Sequence, residues 1–191
     1  INHEQFAMVI ADARIRNVTM TGSSRGGREV AAAAGRCLKK VVLELGGSDA
    51  YVVFEDADLK KAAKLCAGSR LINNGQSCIS AKRFLVQDTV WNDFVSAFQE
   101  HMEEGRVGDP SQMETTLGPL AHLKFREGLI AQTQALAKQG GNRIQQRKLA
   151  LPANLQKGAY FGAEMWHVTG RESIVREQEF FGLVALMMKF R

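Results

Sequence analysis

Short apolar, β-branched runs alternate with long helix-forming runs along this 191-residue chain. The run NVTMT at 17–21 leads directly into the glycine-rich GSSRGG and then into REVAAAAGRCLKK, a strong helix former. Strands that alternate with long helices are typical of α/β domains, because each helix carries the chain back to the same edge of the sheet. The sequence therefore predicts an α/β fold with a mainly parallel sheet.

The same alternation continues toward the C-terminus. Further short strands are predicted at VVLEL (41–45), AYVVF (50–54) and RFLVQ (83–87). Helices are predicted from the N-cap candidate Asp56 to the turn before Cys78, from about Asp88 to Glu104, and from about Leu123 to Gln139. Between Asn142 and Val175 the pattern weakens to two short strand candidates, RIQQRKLA and AYFGAEMWHV.

The composition limits the classes of function. The net charge is +5, but Lys and Arg alternate with Asp and Glu instead of forming a stripe, so we expect no nucleic-acid partner. No apolar run approaches the roughly 18 residues that a membrane span needs, and no signal-peptide pattern opens the sequence. We therefore expect a soluble, cytoplasmic protein with no membrane partner. Cys37, Cys66 and Cys78 lack metal-ligand spacing, so reduced thiols and no metal site are expected.

The segment TGSSRGG brings a predicted strand to the N-terminus of a helix. Free backbone amides and the positive end of the helix dipole make such a place suitable for phosphate. Glycine and serine also form ordinary strand-to-helix turns, so the segment by itself leaves both interpretations open.

Glu44 is a carboxylate in the otherwise apolar run VVLELGG. Such a residue either faces solvent at the strand end, is paired, or lies in a cleft where a raised pKa suits it to act as a general base. The solvent-facing interpretation is the more common one for an isolated acidic residue.

Cys78 follows the turn-forming sequence NNGQ in LINNGQSCIS, where a helical pattern ends and an apolar run begins. A cysteine is commonly buried filler, but a turn can instead present the thiol and stabilise its charge through backbone amides. Cys37 and Cys66 lie within helical patterns and are predicted to be core residues.

Taken together, these three features closely resemble the NAD(P)-dependent aldehyde dehydrogenase superfamily. The run VTMTGSSRGGREVAAAAGRCLKKVVLELGGSDAYVVFEDADL is similar to its pyrophosphate turn, base-bearing strand and following segment, and NNGQSC is similar to its nucleophile motif. VGDP, LGPL and EQEFFG then follow in the family's order. Within the superfamily, LELGGSDAYVVF and SAKRFLVQ are most similar to the bacterial succinate-semialdehyde dehydrogenase type.

The resemblance implies catalytic roles for two residues. Cys78 would attack the aldehyde carbonyl to form a thiohemiacetal, hydride would pass to NAD or NADP, and Glu44 would activate the water that hydrolyses the thioester. The backbone amide of Cys78 would supply half of the oxyanion hole. The implied cofactor contacts are Gly22 and Ser23 for the pyrophosphate, Gly27 for close approach of the helix, Glu179 for a ribose hydroxyl pair, and Phe181 and the Leu45 backbone for the nicotinamide.

The resemblance also implies a domain division. Residues 1–46 would close an incomplete NAD(P)-binding domain, and residues 47–191 would form most of the catalytic domain. The matching positions include neither the asparagine that completes the family's oxyanion hole nor the residues that grip the adenine ribose. Losing one oxyanion donor lowers the rate roughly 10²- to 10³-fold, so we expect the 191-residue chain alone to be inactive or nearly so. The full-length form is expected to be a homo-oligomer.

Three residues depart from the pattern or stay unassigned. Leu183 stands where the family usually has proline, which we expect to loosen the turn that carries Glu179 and Phe181. Arg70 and Arg83 could anchor a substrate carboxylate, but such residues more often face solvent, and we assign them no role.

Two rival interpretations stay open. A CoA-acylating relative would pass the acyl group to CoA instead of water, although Glu44 argues against it. A non-catalytic remnant or isolated domain would keep the fold without turnover, although the presence of both Glu44 and Cys78 argues against it. Neither the preference for NAD or NADP nor the physiological aldehyde can be read from these motifs.

Overall fold

The computed structural model describes residues 3–191. The chain forms two compact units, Ile1–Gly47 and Ser48–Arg191. The assignment of these units to a cofactor domain and a catalytic domain stays a prediction.

Within its described residues, 3–47, the first unit contains two helices and two parallel strands. Its elements are α1 (His3–Ala11), β1 (Asn17–Thr21), α2 (Ser24–Arg36) and β2 (Lys40–Glu44). The strands pair in register from Asn17 opposite Lys40 to Thr21 opposite Glu44. Ile10, Val18, Val30 and Ala34 form its small core.

The second unit is built on a five-stranded sheet. Its strands are β3 (Ala50–Val53), β4 (Arg83–Gln87), β5 (Asn142–Gln146), β6 (Glu164–His167) and β7 (Val184–Phe190). Their spatial order is β3-β4-β7-β6-β5, and every neighbouring pair is parallel except β5 with β6. The predicted α/β fold with a mainly parallel sheet is confirmed.

Four α-helices accompany this sheet in the described part of the second unit. They are α3 (Leu59–Leu71), α4 (Trp91–Glu104), α5 (Leu123–Lys138) and α6 (Ser173–Glu177). A 3₁₀ turn over Ile72–Gly75 follows α3, and another over Asp88–Val90 precedes α4. Phe98 of α4 packs edge-on against Phe84 of β4, with ring centroids 4.8 Å apart.

Strand β7 occupies the centre of the sheet and was not predicted from the sequence. Its residues Val184 to Met187 are all buried, so the strand is covered on both faces. A strand of this kind has a continuous apolar run instead of an alternating pattern, and such a run is hard to assign from periodicity. The short helix α6 was missed as well.

Three predicted boundaries were wrong for local reasons. The N-cap of α3 is Asp58 instead of Asp56, and its carboxylate accepts a hydrogen bond from the Lys61 amide at 3.1 Å. Helix α2 begins four residues earlier than predicted because Ser23 caps it. The same helix ends at Arg36, so Cys37 is the half-buried C-cap residue instead of a core residue within the helix.

Candidate active site

The sequence around Asn73 folds into a left-handed turn at the end of α3. Asn73, Asn74 and Gly75 have φ values of 50°, 56° and 72°. Asparagine and glycine are the residues that adopt this backbone region most readily, so NNG suits this bend. The chain leaves the turn with Cys78 exposed.

Cys78 differs from the other two cysteines in exposure. Cys66 is buried in α3, and burial raises the pKa of its thiol to about 11. A thiol with that pKa carries almost no thiolate at neutral pH, and thiolate is the nucleophilic form. Cys37 is half-buried beside the end of α2. Cys78 is therefore the thiol best placed to meet a substrate.

The turn packs backbone to backbone against the EQEFFG segment. A Cβ added to Gly75 would lie 2.3 Å from the Gly182 carbonyl oxygen, a distance that real Cβ atoms essentially never reach. Two motifs that lie about a hundred residues apart in the sequence thus meet in the structure. Glu179 and Phe181, both half-buried, lie just before this contact.

A third segment, around Pro119, holds the turn from another side. The Asn74 side-chain amide donates to the Pro119 carbonyl at 3.3 Å, and the Ala121 amide donates to Gln76 Oε1 at 3.0 Å. The LGPL and NNGQSC motifs are therefore hydrogen-bonded to each other, which restricts the conformations open to the residues that precede Cys78.

Arg70 is wholly buried beneath the turn, so the expected surface position was wrong. Its Nη2 donates to the Gly75 carbonyl at 2.6 Å, whereas Nε and Nη1 have no hydrogen-bond partner within residues 3–191. Burial lowers the Arg70 pKa to about 10, against the opposing effect of the Glu179 charge. Arg83 instead donates to the Ser48 carbonyl.

Lys82 is a second buried cation at this site. Its ammonium contacts carbonyl oxygens of the Cys78 turn and lies 2.9 Å from Glu179 Oε1. Neither Lys82 nor Arg70 had a role predicted from the sequence. The available signal was weak: Lys82 interrupts the largely apolar run ISAKRFLV.

Glu179 and Phe181 line an open groove of about 490 Å³ against α5. Gln132 of α5 donates to the Glu179 carbonyl at 3.1 Å and to Gln178 Oε1 at 3.0 Å. Phe125 and Gly128 of the same helix also line the groove. The sequence predicted helix α5 but not its position opposite Glu179.

Leu183 does not leave this segment loose, contrary to the expectation from its replacement of proline. Its side chain is buried in the core, and its carbonyl accepts a hydrogen bond from the Glu164 amide at 2.9 Å. The residue therefore anchors the EQEFFG segment to strand β6.

The first unit gathers the remaining predicted residues. Ser23 caps the 13-residue helix α2, and its hydroxyl accepts a hydrogen bond from the Gly26 amide at 3.2 Å. The Gly22 amide donates to the Glu44 carbonyl at 3.0 Å, which places the glycine turn beside the end of β2. The Glu44 side chain is exposed.

Gly27 is buried where α2 passes Leu45. A Cβ at this position would lie 2.7 Å from Leu45 Cδ2 and 2.9 Å from Cδ1. The absence of a side chain thus lets the helix approach Leu45 closely. Leu45 itself is half-buried.

A groove of about 420 Å³ between α1 and α2 was not foreseen from the sequence. Apolar side chains that include Phe6 and Ile10 line it, together with the charged side chains of Arg25, Glu29 and Arg36. It adjoins the first turn of α2, which Ser23 caps.

The site residues predicted from the sequence therefore lie in two groups, one in each of the two units.

Comparison with known proteins places this arrangement in a family. The sequence model that describes the aldehyde dehydrogenase family matches residues 2–191 of this chain. The chain belongs to the aldehyde dehydrogenase family. The resemblance seen in the motifs is therefore confirmed at the level of the family.

Similar aldehyde dehydrogenases come from several bacteria. The "probable succinate-semialdehyde dehydrogenase" of Synechocystis sp., whose name specifies NADP(+), is 40% identical over 93% of this chain and 38% of its own length. The NAD(P)+ succinate semialdehyde dehydrogenase of Escherichia coli is 37% identical over 96% of this chain and 39% of its own length.

A solved structure shows the same fold. The succinic semialdehyde dehydrogenase from Streptococcus pyogenes, in complex with NADP+, superposes with a TM-score of 0.92 and is 33% identical, covering 100% of this chain and 41% of its own. The chain thus spans about two fifths of the length of the aldehyde dehydrogenases it matches. No helix within residues 3–191 is long and apolar enough to cross a membrane.

Proposed function

We propose that the protein which carries this chain oxidises an aldehyde to a carboxylic acid with NAD+ or NADP+. The observation that carries the proposal is the exposed Cys78 thiol on a left-handed turn that packs against the Glu179 and Phe181 segment. The turn that precedes Cys78 thus contacts a segment whose Glu179 and Phe181 line a groove, so a carboxylate and an aromatic ring are available for the cofactor.

The first steps are assigned to Cys78. Its thiolate sulfur attacks the carbonyl carbon and forms a C–S bond, and the oxygen of the resulting thiohemiacetal takes the negative charge. The backbone amide of Cys78 has no acceptor within residues 3–191, so it is available to stabilise that oxygen. Bound NAD(P)+ would accept the hydride that the thiohemiacetal carbon then loses, which leaves a thioester on the sulfur.

Hydrolysis of the thioester is assigned to Glu44. Its carboxylate would take a proton from a water molecule, whose oxygen adds to the thioester carbon; the C–S bond then breaks and releases the acid and the Cys78 thiolate. The presence of a carboxylate at this position supports water as the acyl acceptor over CoA.

The residues of the first unit fit a dinucleotide. The capped N-terminus of α2 would offer backbone amides to the phosphates beside Gly22 and Ser23, and Gly27 lets the helix lie close to Leu45. The groove between α1 and α2 would accept the flat adenine base on its apolar side chains. In the second unit, Glu179 would bind ribose hydroxyls, and Phe181 would contact the cofactor near the nicotinamide.

Succinic semialdehyde is the proposed substrate. The support is the similarity to the succinate-semialdehyde dehydrogenases of Synechocystis, E. coli and S. pyogenes. A cytoplasmic location and a homo-oligomeric state belong to the same proposal, and the homo-oligomeric state rests on the family resemblance.

Aldehyde-dependent NAD(P)H formation by the native protein that contains this sequence tests the proposal. We expect turnover of succinic semialdehyde without CoA, and loss of turnover in Cys78→Ser but not in the matched control Cys37→Ser. A strict requirement for CoA would favour the acylating alternative. No turnover with any aldehyde would favour the non-catalytic remnant or isolated domain.

A further inference from the structure

Lys82 lies beneath the turn that presents Cys78, and its side chain is fully buried. Its Nζ donates to the carbonyl oxygens of Ser77 at 2.9 Å, Cys78 at 3.1 Å and Ser80 at 3.2 Å. Three peptide groups of one short turn therefore point toward a single ammonium. A contact of this kind restricts the turn at the residues that surround the thiol.

The contact with Ser77 also orients the amide of Cys78. In a trans peptide the C=O and N–H groups are coplanar and point in opposite directions. Because the Ser77 carbonyl points inward to Lys82, the N–H of Cys78, which belongs to the same peptide group, points away from Lys82. The N–H of Cys78 is the donor proposed to stabilise the thiohemiacetal oxygen. Lys82 thus directs this N–H toward the side of the turn that lies opposite the ammonium.

The same ammonium lies 2.9 Å from Glu179 Oε1. The contact is an ion pair without the geometry of a directed hydrogen bond. Glu179 has 21% of its side chain exposed, so its carboxylate joins the buried Lys82 to the groove against α5. One cation therefore contacts both the turn of the proposed nucleophile and the carboxylate proposed to bind the cofactor.

Stability alone is a poor explanation for this cluster. Lys82 and Arg70 are both buried, and Glu179 is the carboxylate that faces them, so the cluster carries an excess positive charge. Removing charges from water is unfavourable, and a well-packed apolar replacement for a buried ion pair is often neutral or stabilising. The contacts of Lys82 with the turn point instead to a role in geometry.

We propose that Lys82 is a positioning residue that holds the Cys78 turn and Glu179 in one arrangement and so couples cofactor binding to the chemistry of the thiol. This inference rests on the proposed function. Lys82 acts through its neighbours: it directs the Cys78 amide and fixes the carboxylate of Glu179, and it transfers no proton in the reaction.

Lys82→Met tests the inference, because methionine is similar in length and lacks the charge. In the native protein we expect kcat for aldehyde oxidation to fall roughly 10²-fold, as for loss of an oxyanion donor. The Kd for NADP+, measured by calorimetry without aldehyde, is expected to rise by about fivefold or more, within the range of typical coupling between sites. Lys64→Met, which alters an exposed lysine of α3, is the matched control and should leave both values unchanged.

A double-mutant cycle separates positioning from general structural damage. If Lys82 acts on the cofactor through Glu179, then Lys82→Met should change the Kd by less than about twofold in a Glu179→Gln background. Independent, multiplicative effects on the Kd would overturn the inference, as would a folded Lys82→Met protein with the kcat and Kd of the wild type.

One further outcome keeps this test distinct from that of the proposed function, and two more concern variants that do not fold. If the wild-type protein oxidises no aldehyde but the cycle in NADP+ affinity shows coupling, the proposed function fails and the link between Lys82 and Glu179 stands. If Lys82→Met does not fold, Lys82→Gln, which keeps an N–H donor, replaces it in the same cycle. If neither variant folds, Lys82 is a structural residue and the inference is overturned.

Discussion

Gly75 and Gly182 are in backbone contact, with no space between them for a side chain: a Cβ on Gly75 would lie 2.3 Å from the Gly182 carbonyl oxygen and 2.7 Å from Arg70 Nη2. Gly75 also has a φ of 72°. The contact joins the NNGQSC turn to the EQEFFG segment. Each motif therefore depends on the other for its position.

Gly75→Ala should be strongly destabilising, because the new methyl group meets backbone and the φ value is unfavourable for alanine. We expect the free energy of unfolding to fall by about 2–3 kcal/mol, measured by urea denaturation of the native protein. Gly68→Ala is the matched control, since Gly68 lies within α3 with open space around it. Equal free energies of unfolding for the Gly75→Ala and Gly68→Ala proteins would contradict the close contact.

Alkylation rates should separate the three cysteines. We expect iodoacetamide to modify the exposed Cys78 much faster than Cys66, whose burial and pKa of about 11 leave almost no thiolate at neutral pH. Peptide mapping by mass spectrometry after timed exposure gives the individual rates. Cys66 modification should increase as the pH approaches 11, whereas equal and slow modification of all three thiols at neutral pH would support the non-catalytic interpretation.

Ser23 caps α2 and is proposed to bind the pyrophosphate, and substitution can separate the observed role from the proposed one. Ser23→Ala removes the hydrogen bond from the Gly26 amide and should lower the free energy of unfolding by about 1 kcal/mol. Ser23→Asp keeps a capping oxygen but adds a negative charge, so it should preserve stability and weaken NADP+ binding. Ser24→Ala is the control. Unchanged NADP+ affinity in Ser23→Asp would count against the pyrophosphate site at this turn.

Glu172 should make stability depend on pH. Burial raises the pKa of this carboxyl, but hydrogen bonds from the Thr169 amide and hydroxyl more than compensate, so the pKa lies below its ordinary value. A depressed pKa in the folded state contributes stability above the unfolded-state pKa of about 4.3, and this contribution disappears as the pH falls through the folded-state value.

Glu172→Gln should therefore lower the free energy of unfolding by about 1 kcal/mol at neutral pH, and the difference from the wild type should vanish in acid. Thermal unfolding at a series of pH values measures it, with the exposed Glu177→Gln as the control. A difference that stays constant down to acid pH would show that the charge of Glu172 contributes no stability.

The 191-residue chain by itself should form little or no NAD(P)H with aldehyde. The proposed mechanism uses the Cys78 amide as one oxyanion donor, but the matching positions lack the asparagine that the family resemblance implies as the other, and one lost donor lowers the rate roughly 10²- to 10³-fold. A spectrophotometric assay of the purified chain, beside the native protein that contains it, checks this expectation. Turnover at a comparable rate would show that these residues form a complete site.

Local features of this protein could be read directly from the sequence. Turn preference and hydrophobic periodicity are local properties, because they depend on neighbours within a few positions. They were enough to predict the strands NVTMT and RFLVQ, the turn residues NNG and the order of the motifs. The exposed position of Cys78 was among the sequence-based interpretations because the turn before it has a recognisable composition.

The tertiary structure decided which distant residues meet and which charged residues are buried. Lysine and arginine are exposed by default, so the burial of Lys82 and Arg70 beneath the Cys78 turn was not predicted, and the apolar neighbours of Lys82 were only a weak signal. The same holds for β7 at the centre of the sheet and for the contact of Gly75 with Gly182. Such features depend on packing between segments that are far apart in sequence, and local preferences carry little information about that packing.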